Sequence, residues 1–157
     1  MAQKQRRYAD AVAIFEDSIA VQRKIGYELG VGLSLRNLCS TLLDLNQLAE
    51  ATVHLQEILH LAQKIHNPPL ALSGLVGMAQ FYALRNDWPT AGRLATFTHH
   101  HPAAEEEIRS KAADLLVAAQ PHLTSDQFDD LRSSAPMGDL WQVVAEVMGS
   151  TVAGGWK

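Results

Sequence analysis

The run His99-His100-His101, with Glu105-Glu106-Glu107 just beyond it, gathers the imidazoles and carboxylates that ordinarily ligate transition metals. Spacing argues against that chemistry. Adjacent residues on a helix point about 100 degrees apart, no two histidines stand at i and i+4, and His-Glu-x-x-His is absent. A solvated helix end is the expected state of the run, with no metal. The other candidate is Cys39, the single cysteine. A nucleophilic thiol needs a neighbouring base and a stabilised thiolate; Cys39 instead falls in mid-helix at a position that asks for a small apolar residue. Gly-x-Ser-x-Gly, a phosphate loop and a dinucleotide fingerprint are all missing, and Gly26, Gly30 and Gly32 lack the flanking pattern that would make them one. No enzymatic activity and no cofactor are expected.

Composition narrows the class further. The 157 residues are long enough to bury one core without a disulfide or a metal. Residues are 47% hydrophobic and only 6% aromatic, which suits packed helices. No stretch approaches the roughly 20 apolar residues of a membrane span, and MAQKQRRYAD lacks the apolar core of a signal peptide, so a cytoplasmic location is expected and no membrane contact. A net charge of -4 speaks against a nucleic-acid surface.

The chain matches itself at a shift of 40 residues. Tyr8-Ala9-Asp10-Ala11 falls on Leu48-Ala49-Glu50-Ala51 and then on Trp88-Pro89-Thr90-Ala91; Lys24-Ile25 falls on Lys64-Ile65, Leu35 on Leu75, and Asn46 on Asn86. His60 and His100 share a register position as well. Apolar residues within each unit recur at three and four, and nothing alternates with a period of two. The spacing predicts helices over 5–25, 28–45, 48–65, 69–85 and 88–99. Gly26 suits a left-handed cap, Asn46 and Asn86 suit tight turns between helices, and Asn67-Pro68-Pro69 stops one helix and starts the next.

These units resemble the tetratricopeptide repeat, in which helices A and B alternate with large, small and aromatic residues at set places. Leu35, Leu38, Cys39 and Leu42 followed by Leu48, Ala51 and Leu55 fit that order, as do Leu75, Met78, Ala79 and Tyr82 followed by Trp88 and Ala91. Ala95 departs from it, standing where a large residue is usual, and the period of 40 exceeds the commoner 34. A longer period is similar to that of arrays in large bacterial signal-transduction ATPases and transcription regulators. The resemblance implies an all-α, right-handed α-α solenoid over residues 1–101, with a first unit that lacks its A helix.

Residues 102–149 depart from the repeat and read as C-terminal capping helices. Pro102 and Glu105 to Glu107 open a helix over 103–120, Thr124 with Gln127 looks like a capping box for a short helix through Leu131, and a last helix carries Leu140, Trp141, Val143, Val144 and Val147. The segment 150–157, with Gly154-Gly155 and Trp156, reads as a flexible tail. From residue 104 onward the chain holds nine acids and four bases, against eight and nine before it, so the acidic end is suited to cover an apolar terminal face.

In function the resemblance implies a protein-interaction scaffold, the C-terminal module of a bacterial signalling or transcription regulator or a small relative of one. Family groove positions, carried onto this chain, are Leu33, Arg36, Asn37, Ser40 and Leu43 in one A helix and Ser73, Val76, Gly77, Gln80 and Ala83 in the next. They would take a protein or peptide segment. The strip lacks the basic clamp that some members use on a C-terminal carboxylate. The alternative is a small-ligand sensor that shifts an attached ATPase or DNA-binding domain. At the other end, Ala11, Phe15 and Ser18 should face an A helix that seven preceding residues cannot supply, which predicts an open interface for a preceding repeat, a partner helix or self-association.

Overall fold

The computed structural model describes residues 2–134 and 139–152, so Trp156 and the expected tail after Val152 lie outside the described residues. Eight α-helices follow one another: α1 (Ala2–Ile25), α2 (Glu28–Asp44), α3 (Leu48–Ile65), α4 (Pro68–Leu84), α5 (Trp88–His100), α6 (Glu106–Ala119), α7 (Ser125–Ser134) and α8 (Leu140–Val152). A 3₁₀ turn at Gln120–His122 carries Pro121 between α6 and α7. The fold is all-α among the described residues, and none of its helices is long and apolar enough to cross a membrane.

The backbone repeats more faithfully than the side chains do. Residues with positive φ stand at Gly26 (74°), Asn46 (58°), His66 (51°) and Asn86 (63°), one every twenty residues. Each closes its helix in the same way. At Asn46 the amide donates to Leu43 O and that of Gln47 to Leu42 O; at Asn86 and Asp87 the acceptors are Ala83 and Tyr82, at His66 and Asn67 they are Gln63 and Ala62, and at Gly26 and Tyr27 they are Arg23 and Gln22. This pair of bonds satisfies carbonyls that the helix end would otherwise leave bare. Glycine and asparagine at 26, 46 and 86 are the residues such a turn favours. His66 is not, and a left-handed conformation there costs on the order of 1–2 kcal/mol.

Helix starts follow their caps. Asn67 Oδ1 accepts from the Leu70 amide at 2.9 Å and Asp87 Oδ1 from the Thr90 amide at 3.3 Å, each ahead of a proline that needs no partner for its missing N–H. The Thr124–Gln127 capping box forms in both directions, at 3.1 and 2.9 Å.

Each helix packs on the one before and the one after through α6, and the A helices α2, α4 and α6 also touch side by side. α6 therefore sits against α5 and α4 as α4 sits against α3 and α2, so the alternation runs one helix further than the sequence register. α8 turns back from the far end and packs on α3 and α4, where the Trp141 ring meets His66 edge-on at 6.3 Å. Surrounded by α2, α3, α5, α6 and α8, helix α4 is apolar on every side, as an enclosed helix must be. Its Gly74 and Gly77 lie so close to α3 that a Cβ would stand 2.8 Å from Leu59 Cδ2 and 2.5 Å from Leu55 Cδ2. Gly77 thus faces α3 and is not a groove residue.

Candidate partner-binding groove

The strip that the register assigns to a partner lies on α2 and α4, and its two halves differ. On α2, Leu33, Arg36 and Ser40 are half-buried, Asn37 is exposed, and Leu43 is buried. On α4, Ser73, Val76 and Ala83 are buried, and Gln80 is half-buried. With Gly77 set aside, four of the remaining nine expected contact residues are enclosed within the fold. Three of the four are on α4, which packs on α2, α3, α5, α6 and α8. Ser73 is also spoken for chemically, since its hydroxyl donates to Leu70 O at 2.7 Å.

What remains open is polar. Arg36, Asn37 and Gln80 make no side-chain hydrogen bond among the described residues, so their heads are free to recognise a backbone or a polar side chain. Leu33 adds an apolar contact on the same helix. The strip carries one cation, Arg36, and no acid.

Cys39 is enclosed between α2 and α3, at 2% exposure, with Sγ 3.8 Å from Ala51 O. Burial, reinforced by the Glu57 carboxylate, pushes its thiol up to about 12. A protonated, enclosed thiol is a packing residue. The histidine run divides: the His99 and His100 rings meet edge-on with Nδ1 atoms 3.5 Å apart, while His101 Nδ1 accepts from the Ala103 amide at 3.1 Å and so closes the turn after α5. His60 and His100 are both exposed on α3 and α5, and among the described residues no three His, Cys, Asp or Glu side chains are grouped to hold an ion.

No protein-family model matches this chain. Neither does any curated protein or any solved structure.

Two features were not anticipated. Trp88, at the start of a B helix in the repeat order, is half-buried and stacks flat on His122, ring centroids 4.4 Å apart, with its indole N–H buried and without an acceptor among the described residues. No spacing rule connects residues 88 and 122, because the contact depends on where the 3₁₀ turn falls. The burial of Ser73, Val76 and Ala83 did have a signal. Leu70, Ala71, Leu72, Leu75, Met78, Ala79 and Phe81 leave α4 with little polar surface, and a helix of that kind has little more than the half-buried Gln80 to offer a partner.

Ala11, Phe15 and Ser18 on α1 are half-buried, whereas the residues 40 and 80 positions later, Ala51, Leu55 and Ile58, then Ala91, Ala95 and Thr98, are at most 1% exposed. Thr98, the polar member, donates to Leu94 O at 2.8 Å.

Proposed function

We propose that this chain is a non-enzymatic protein-interaction scaffold of the tetratricopeptide type, a right-handed solenoid serving as the C-terminal module of a bacterial signalling or transcription regulator or as a small relative of one. The supporting observation is the twenty-residue recurrence of identical left-handed turns joining hairpins whose A helices lie side by side, with the free heads of Arg36, Asn37 and Gln80 on that row. The partner is a protein or peptide segment, gripped mainly by α2 through Leu33, Arg36, Asn37 and Ser40, with Gln80 of α4 at its edge. Regular hairpin arrays of this kind gather others' segments along a preformed surface.

The test is a quantitative pull-down with the wild-type chain and an Arg36→Glu, Gln80→Lys variant whose melting temperature is checked first. Both positions leave the core, so the variant should melt within a few degrees of wild type. Loss of the partners recovered by wild type is the expected result. Unchanged recovery by a folded variant rules the strip out.

A further inference from the structure

We propose that His99 and His100 form a two-imidazole chelate for a divalent metal ion of the zinc type at the C-terminal end of α5, where the spacing alone predicts a solvated helix end without metal. The site is separate from the groove.

The two Nδ1 atoms stand 3.5 Å apart, although the ring centroids are 5.0 Å apart and the ring planes lie at 65° to each other. Both rings therefore turn the nitrogen nearer the backbone inward, toward the space between them. A hydrogen bond does not account for this approach, since 3.5 Å exceeds the usual ~3 Å between an N–H donor and its acceptor. A metal ion does. Two bonds of about 2.05 Å to one ion span the gap at an angle of about 115°, near the tetrahedral value that zinc prefers and wider than the right angle of square-planar copper or nickel. The divergence of adjacent helical residues is bridged because Nδ1 is the inner of the two ring nitrogens.

The surroundings suit a cation. His99 is half-buried and His100 exposed, so one ring is steadied by the fold while the other is reachable from water. Both stand in the last turn of α5, at the negative end of its dipole. His101 takes no part, because its own Nδ1 accepts from the Ala103 amide and its backbone is extended. No third His, Cys, Asp or Glu joins the pair among the described residues, so the ion keeps water in its other positions. Imidazole nitrogens also select such an ion over calcium or magnesium, which take oxygen ligands.

The probe is zinc chloride, titrated by calorimetry into the untagged full chain at neutral pH. The expected outcome is one ion per chain and a melting temperature that rises with zinc concentration. His99→Gln and His100→Gln should each weaken binding about tenfold or more, and the double variant should be little worse than either, because a chelate fails when one arm is lost. His60→Gln, at the equivalent exposed position on α3, should leave the affinity unchanged. His100→Gln, at an exposed site, should melt as wild type does when no zinc is present. Three results overturn the proposal: no saturable zinc binding, single variants that each halve the stoichiometry at unchanged affinity, as separate surface imidazoles would, or a His60→Gln variant weakened as much as the other two.

Discussion

Helices α1 and α3 hold the same place in the repeat and differ in one neighbour. Both pack on a following A helix, α2 or α4; only α3 has a preceding A helix on its other side. The result is read at three positions: Phe15 is half-buried where Leu55 is 1% exposed, and Ala11 and Ser18 stand in the same relation to Ala51 and Ile58. One face of a B helix is thus worth about as much as the helix that covers it. Amphipathic pattern makes α1 a helix, but its neighbour decides how firmly that helix is held.

The sharpest way to break this comparison is to truncate the same register position in both helices. Leu55→Ala should cost about 3 kcal/mol, because the side chain is enclosed between α2 and α4 and leaves a cavity. Phe15→Ala removes a larger side chain yet should cost less than half of that, having water on one side already. Urea titration reads both, and equal shifts of the midpoint would erase the distinction between the two helices.

The enclosed side also carries a pH signature. Cys39 ionises near 12 in the fold against about 9 when unperturbed. A raised acid pKa means that the protonated form is favoured by folding, so its contribution is complete below pH 9 and is lost as the pH climbs from there toward 12. Urea midpoints of wild type and Cys39→Ala, compared from pH 8 to 11.5, should converge as the pH rises. A constant gap would mean that the α2–α3 interface admits water to the thiol.

The smallest effect concerns the turns that follow α1 and α3. Gly26 leads from α1 into α2 at φ 74°, and a Cβ there meets nothing within 4 Å. Gly26→Ala should cost about 1 kcal/mol by backbone strain alone. His66, at the same register position after α3, already carries a side chain in that conformation. If Gly26→Ala is neutral by thermal melting, the two turns are not equivalent in energy despite their identical hydrogen bonds.

Much of this architecture is legible in the sequence, for reasons that differ by element. Helix bounds from α1 to α5 agree with the apolar spacing within a few residues, since Gly26, Asn46, Asn86 and the pair Pro68-Pro69 act locally on the backbone. The register also picks out Ala11, Phe15 and Ser18, which are half-buried where their equivalents forty positions later are enclosed. His66 was not legible, since the register demands a left-handed residue there and the side chain gives no hint of one. α6 was missed as a member of the A row because its entry breaks the rhythm. His101 is extended at φ -72°, ψ 131°, and no left-handed residue stands at 106. α8 continues through Val152, three residues into the segment 150–157 that reads as a flexible tail. Its stripe of Leu140, Val144 and Val147 announces that it must be covered, and nothing local says by what. The enclosure of Ser73, Val76 and Ala83 was legible in the apolar make-up of α4, although the helices that enclose it were not.

The contact of Trp141 with His66 also bears on the order in which the molecule assembles. Most helices touch their sequence neighbours, and hairpins of that sort close short loops and can form wherever the chain happens to start. α8 must span the distance back from α7 to the α3–α4 corner, and its site exists only once both of those helices are in place. Its docking therefore follows the pairing of α3 with α4 and closes the longest loop in the fold, since no site for it exists on either helix alone.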